Sequence, residues 1–206
     1  MAERVPPGRA GRLWLQGRLA AARRSQELLE RKRRLLRREQ QRLSERCRAS
    51  AAAWAGACPE AERWAGRAAL LGGTTELELV SSGWAGRARA EVTWRDTMGV
   101  RVPDEVRVWP VEPAPIEVAA ANSAVGPAAA SHRRALVAAV DHAAARRALD
   151  AVEEELQATQ QRLRAIEHRR LPVLQEALRQ LELRLDEIER QERVVSRWAQ
   201  RRAPAR

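Results

Sequence analysis

The sequence contains no Phe and no Tyr, one Lys (Lys32) and two Cys, Cys47 and Cys58. With so few aromatic residues a thick globular core is hard to build, and the abundance of Ala, Leu, Arg and Glu is typical of long helices. The two cysteines lie eleven residues apart, and no further Cys or His stands at zinc-ligand spacing. We interpret them as packing residues in a reducing compartment.

Membrane and catalytic signals are also missing. No apolar run approaches the roughly 20 residues that a membrane helix needs, and the polar stretch from Met1 to Gly11 does not predict a signal peptide, so we expect a cytoplasmic protein. Lys32 is not preceded by glycines, and neither G-x-S-x-G nor a redox C-x-x-C is present. The histidines (His132, His142 and His168) are too far apart to share a metal, and we interpret His142, beside Asp141, as part of an exposed helix face. We therefore predict no catalytic, cofactor or metal site.

The net charge of +11 is concentrated near the N-terminus. Residues 1–50 contain fifteen Arg or Lys and five Glu, a net charge of +10. Such a surface favours an acidic partner, which could be nucleic acid, anionic lipid or protein. No aromatic residues are interleaved with these charges as in single-strand binders, yet a basic nucleic-acid-binding coiled coil and a generic scaffold stay as alternatives.

Both ends of the chain show heptad spacing. Apolar or small residues recur by threes and fours from Leu15 to Ala57, with polar interruptions at Gln26, Arg33 and Gln40. At 1.5 Å per residue, a helix from about Gly11 to Ala57 would be ~70 Å long. Neither stripe can be buried alone, which predicts that the two terminal segments pair as an antiparallel coiled coil.

The second heptad segment contains one irregularity. The spacing is regular from Leu149 to Ile166, changes to steps of four at Arg170, Leu174 and Leu178, and is regular again from Leu181. This is a stutter, which locally unwinds a supercoil. It surrounds Pro172, which should bend the helix.

The middle of the chain has a different pattern. Gly72–Gly73 ends a helical stretch, and period-two alternation at residues 75–79 and 88–94 indicates strands. Further short strands are predicted around Pro103, turns at Ser81–Gly83 and Asp96–Gly99, a loop over Pro113–Pro127 and a helix soon after Ser131. Five tryptophans are expected to supply the core: Trp54, Trp64, Trp84, Trp94 and Trp109. We therefore divide the chain into an N-terminal helix (1–58), a middle domain (59–130) and a C-terminal helix with a basic tail (131–206).

Several short motifs resemble the D subunit of V-type (vacuolar and archaeal-type) ATPases and ATP synthases. They are a Pro-x-Arg start, a Leu-Leu-x-x-Lys-Arg segment, a Met-Gly-Val-Arg-Val-Pro element, a Leu-Pro step in the second helix and a charged Glu-Arg-Gln-Glu-Arg run. The matching positions are Pro7, Arg9, Leu19, Leu28, Leu29, Lys32, Arg33, Gly99, Pro103, Ile166, Pro172, Glu189 and Arg190.

The resemblance implies a non-catalytic central rotor shaft that couples ATP hydrolysis or synthesis in a ring of A and B subunits to a membrane ion-translocating ring. It implies the F and C subunits as further partners, no nucleic acid, and membrane contact only through the complex, on the cytoplasmic side of the plasma membrane. The arginines of the first helix would then form a bearing face that acts collectively. This face comprises Arg23, Arg24, Arg31, Arg34, Arg37 and Arg38.

Overall fold

The first helix, α1, extends from Gly8 to Gly83 in the computed structural model of the chain, which describes residues 5–83, 87–111 and 121–202. The prediction that it ends near Ala57 is wrong. Pro59 lies inside α1 and removes only one backbone hydrogen bond, and the residues after it are good helix formers. The predicted break at Gly72–Gly73 is confirmed, because Gly73 has φ +75° and ψ 170°.

The last ten residues of α1 are helical, although their sequence alternates. The strand predicted at residues 75–79 and the turn predicted at Ser81–Gly83 are therefore wrong. Leu77 and Val80 lie three residues apart on one helix face, and this face packs against a small cluster. The cluster consists of Ala68, Ala124, Val125 and Ala128. Packing by helical spacing thus prevails over a weak period-two signal.

A β-hairpin follows, in which β1 (Arg89–Thr97) pairs antiparallel with β2 (Val100–Trp109). Its turn is made by Met98 and Gly99, with φ of 53° and 79°. Two successive residues with positive φ match the right-handed twist of the strands, and the second is a glycine, which adopts that conformation without strain. The predicted turn at Asp96–Gly99 is confirmed.

A β-bulge changes the expected pattern of the hairpin. The register shifts between Val92 and Trp94, and Pro103, which has no N–H, lies opposite Trp94. One strand therefore continues through Pro103 where the sequence predicted two. The bulge also reverses the alternation, so that Trp94 is exposed and Arg95 is partly buried.

The expectation that tryptophans supply the core is wrong for three of the five. Trp54, Trp94 and Trp109 are 40%, 47% and 46% exposed, Trp64 is half-buried, and Trp84 lies outside the described residues. The largest cluster is aliphatic and joins α1, β2 and the second long helix. Its buried members are Leu36, Leu43, Val102, Ala148, Ala151, Val152 and Leu156.

The second helical segment consists of α2 (Val125–Ala165), a π-helical turn (Ile166–Arg170) and α3 (Leu171–Arg202). It begins before Ser131, contrary to the prediction, because Asn122 caps it: the Ala124 N–H donates to Asn122 Oδ1 over 3.0 Å. Pro127 is tolerated because first-turn N–H groups have no intrahelical acceptor. Of the predicted loop, residues 113–120 lie outside the described residues.

The chain divides into two compact units. The first comprises Met1–Arg34 and Gln157–Arg206, and the second comprises Leu35–Leu156. Within each unit, later residues of α1 contact earlier residues of the second helical segment, so the two segments run antiparallel. The contacts are Arg9 with Glu189 and Gln26 with Glu167 in the first unit, and Gln40 with Glu153, Ser50 with His142 and Glu60 with Arg134 in the second. The mainly α fold with a small central hairpin is confirmed.

Candidate functional site

Two of the polar interruptions in the first heptad stripe face the opposite helix. Gln26 Nε2 donates to Glu167 Oε1 over 3.1 Å in the first unit, and Gln40 Nε2 donates to Glu153 Oε1 over 2.9 Å in the second. Buried polar groups are stable when they are hydrogen-bonded, and a single polar pair in an apolar seam fixes the register of the two helices. Each unit therefore contains a polar register pair.

The π-helical turn lies next to one of these pairs and directly before Pro172. The Leu171 N–H donates to the carbonyl of Ile166, five residues earlier, which is the π-helical bonding pattern. The predicted stutter accounts for this turn. Between Arg170 and Leu174 the stripe advances by four residues where the heptad requires three, so one extra residue must be accommodated. The π turn, Ile166–Arg170, takes up that residue next to the position at which the sequence predicted local unwinding.

The beginning of α1 lies beside α3 in the first unit. Arg9 Nη2 lies 3.3 Å from Glu189 Oε1, and Arg190 lies 3.7 Å from Glu187. These side chains are exposed, so each pair contributes at most ~1 kcal/mol. A side chain at Gly11 would meet the Pro6 carbonyl and Leu181, so a glycine there permits close approach of the two segments. Pro7 is exposed just before α1 begins.

A charge network fastens the hairpin to the helices of the second unit. Glu39 on α1 accepts hydrogen bonds of 2.7 and 3.0 Å from Arg42 and a further one from Arg95 on β1. Arg95 also lies 3.1 Å from Asp104 on β2. Arg46 then donates to the Asp104 carbonyl over 2.9 Å and lies 3.4 Å from Asp141 on α2. We call Glu39, Arg42, Arg46, Arg95, Asp104 and Asp141 the hairpin anchor.

The electrostatics of the hairpin anchor centre on Glu39. The hydrogen bonds from Arg42 are the largest influence and, with the one from Arg95, lower the pKa of the Glu39 carboxyl from 4.5 to about 2, although partial burial opposes the shift. The Glu39 carboxylate is thus fully charged at neutral pH. The ion pairs of Glu39 add to the packing of Val102, a buried residue of β2 that belongs to the aliphatic cluster.

The six arginines proposed as a bearing face are all exposed. Arg23, Arg24, Arg31 and Arg34 belong to the first unit, and Arg37 and Arg38 to the second. At 3.6 residues per turn, the spacing of the four in the first unit places them within a sector of about 100° around α1. None of them forms an ion pair with any residue in the part of the chain that the structure describes. The face is therefore available to an external acidic group.

The remaining predicted residues are distributed over both units. Leu19 is buried in the first unit, Leu29, Lys32 and Arg33 are half-buried there, and Leu28 is exposed. The second unit holds the other two: Gly99 forms the hairpin turn and Pro103 is buried at the bulge. The motif positions therefore do not converge on one pocket.

Sequence reasoning missed the hairpin anchor and misjudged His142. That imidazole stacks on Trp54 with ring centres 5.6 Å apart, and its Nδ1 lies 3.2 Å from Ser50 Oγ, so it is a helix-contact residue and not part of an exposed face. Sequence also missed Asn122, which donates to Glu76 and to the Ala68 carbonyl beside the break in α1. These partners of His142 and Asn122 lie 46 to 92 positions away in the sequence, a separation at which no local pattern operates.

Within residues 5–83, 87–111 and 121–202, no group of three or more His, Cys, Asp or Glu is placed to hold a metal ion. Over the same ranges, every helix lacks the long apolar stretch that a membrane span requires.

Two long helical segments that pair antiparallel and support a small hairpin define a mainly helical protein. The model of the family described as the D subunit of ATP synthase matches residues 13–201, and the chain belongs to this family. Its members are non-catalytic stalk subunits of rotary ATPases. The predicted relationship to the D subunit is confirmed. No curated protein matches the chain.

Proposed function

We propose that this protein is the central rotor shaft, the D subunit, of a V-type rotary ATPase or ATP synthase. In this role it couples ATP hydrolysis or synthesis in a ring of A and B subunits to rotation of the membrane ion-translocating ring. The observation that carries the proposal is the family match, which extends over both helical segments and the hairpin.

The pairing within each unit supports this role. A packed seam of two helices resists untwisting better than a single helix, because torsion would break side-chain packing along the whole seam. The register pairs Gln26–Glu167 and Gln40–Glu153 oppose sliding of one helix along the other. Torque applied at one position would therefore reach positions farther along the seam.

The proposed partners follow the proposed division of the chain. The A and B subunits would surround the paired helical segments, and the F subunit would sit against the lower shaft or the middle domain, 59–130. The C subunit would connect the shaft to the membrane ring, so the chain would lie on the cytoplasmic side of the plasma membrane without entering the bilayer.

The bearing face suits a rotating contact. A shaft meets the same ring surface at several angles, and tight bidentate pairs would favour one angle over the others. Exposed charge pairs contribute only ~0.2–1 kcal/mol each and exchange readily. We expect the six arginines to act together through diffuse attraction.

The experiment is co-expression of the chain with the A, B and F subunits, followed by affinity purification and an ATPase assay. Single Arg→Ala changes in the bearing face should leave activity nearly intact, and the sixfold change should weaken assembly, as should added salt, because the Debye length is ~10 Å at 0.1 M. A sixfold Arg→Ala variant outside the face serves as the matched control (Arg12, Arg48, Arg63, Arg107, Arg184 and Arg197, all exposed). If the wild-type chain does not copurify with the ring subunits, the proposed function is wrong.

A further inference from the structure

Positive charge is concentrated around the π turn on both helical segments. Residues 23–34 and 162–170 together contain ten Lys or Arg and three Glu, a net charge of +7 out of +11 for the whole chain. Both ranges belong to the first unit, whereas the hairpin and its anchor belong to the second. None of these charged residues belongs to the hairpin anchor.

The Gln26–Glu167 hydrogen bond fixes how the two charged ranges are aligned along the helix pair. Because the segments run antiparallel, Arg169 and Arg170 in the π turn lie about level with Arg24 and Arg23 on α1. All four side chains are exposed. None of the four pairs with an acidic group in the described part of the chain.

The π turn determines which of its residues face outward. Ile166, Glu167 and Leu171 are half-buried, and Glu167 contacts Gln26 on α1, whereas residues 168–170 are all exposed. The extra residue of the turn thus lies in a basic, outward-facing segment. Exposed like charges at about the same level of the helix pair repel one another and lower the stability of the isolated chain, and an acidic surface would relieve that repulsion.

We propose that Arg169 and Arg170 of the π turn, together with Arg23 and Arg24, form a positive girdle that binds a carboxylate-rich surface of a partner protein. The inference rests on the proposed function and extends it, because it adds two arginines of the second helical segment to the basic contact that the bearing face assigns to α1. Charge complementarity identifies the partner as acidic. A protein fits better than a single-stranded nucleic acid, because no Trp lies between residues 15 and 53 or between 110 and 197 to stack on bases.

The test uses the full chain and the purified ring of A and B subunits from the same complex, with binding measured at 50 and 300 mM NaCl. Arg169→Glu/Arg170→Glu should weaken binding at low salt on the order of ten-fold, since two attractive contacts become repulsive. The matched control, Arg12→Glu/Arg184→Glu, makes the same charge change at exposed positions of the same unit. The control should bind like the wild type.

A milder variant separates binding from folding. Arg169→Gln/Arg170→Gln should melt at the same or a higher temperature than the wild type in isolation, yet bind the ring more weakly. Loss of both stability and binding would mean that the arginines are structural, which would overturn the proposal.

The remaining outcomes distinguish the girdle from the shaft function. Equal binding by the wild type and both Glu variants would overturn the girdle while leaving the shaft function intact. Failure of the wild type to bind at all would instead reject the shaft function. A labelled DNA duplex provides the last comparison: if the Arg169→Glu/Arg170→Glu variant loses only DNA binding, the girdle binds nucleic acid and the proposal is wrong.

Discussion

Glu39 on α1 and Arg95 on β1, 56 positions apart in the sequence, are joined by a hydrogen-bonded ion pair. Arg42, three residues after Glu39 on α1, binds the same carboxylate, and Arg95 continues the network to Asp104 on β2. A two-stranded hairpin is marginally stable by itself, so its attachment to the helices depends on such contacts and on burial of Val102.

Glu39→Gln should destabilise the second unit by on the order of 1–3 kcal/mol, because the charged acceptor of three hydrogen bonds is lost. Urea unfolding followed by circular dichroism measures the change. Glu176→Gln in the exposed Glu176–Arg179 pair on α3 is the control and should change stability little.

The contribution of Glu39 should depend on pH. Its folded pKa is lowered from 4.5 to about 2, so the added stability is fully present above pH ~4.5 and is lost as the pH falls toward 2. The difference in unfolding free energy between the wild type and Glu39→Gln should shrink across this window. A constant difference from pH 7 to pH 2 would show that the carboxylate charge is not what stabilises the anchor.

Deleting His168 should be tolerated, because it removes the extra residue of the π turn and restores regular heptad spacing from Leu163 to Leu185, with Leu171 in the stripe. Deleting Gln180, also exposed, should be strongly destabilising, because it rotates Leu181 and Leu185 off the seam and each leucine loses up to ~1.5–3 kcal/mol of burial. Thermal melting of the two deletion variants provides the comparison. Equal loss in both would contradict the account of the π turn as a one-residue insertion.

The contrast between these deletions illustrates what the sequence could and could not predict. Heptad spacing revealed both helical segments and the irregularity near Pro172, because apolar periodicity directly reflects burial. It could not show whether the extra residue would unwind the supercoil gradually or form one π turn, since backbone hydrogen bonding decides between them. The arginines of the bearing face were recognisable as exposed, but the binding of Arg95 to Glu39 depends on tertiary contact and leaves no local pattern.

Leu43→Ala should cost ~2–5 kcal/mol, because Leu43 is fully buried in the aliphatic cluster and its removal leaves a cavity. Leu70→Ala makes the same change at a side chain that is 88% exposed and should shift stability by less than ~0.5 kcal/mol. Chemical denaturation of both variants measures the difference. Similar values for the two would mean that the assigned seam is incorrect.

Gly73→Ala should destabilise the chain by roughly 1–2 kcal/mol, because an L-residue is strained at φ +75°. Gly66→Ala is the matched control: Gly66 lies in the helical part of α1 with open space around it, and alanine there should stabilise by up to ~1 kcal/mol. Opposite signs in thermal melting are expected. A stabilising Gly73→Ala would show that α1 continues without the break.

The central claim is that this chain turns inside the catalytic ring, and single-molecule rotation tests it most directly. The A and B subunits are fixed to a surface, a bead is attached through a cysteine introduced at exposed Met98 in a variant with Cys47→Ala and Cys58→Ala, and ATP is added. The account predicts unidirectional, ATP-dependent rotation of the bead, which stops when ATP is withdrawn. A ring that contains the chain and hydrolyses ATP while the bead stays stationary would contradict it.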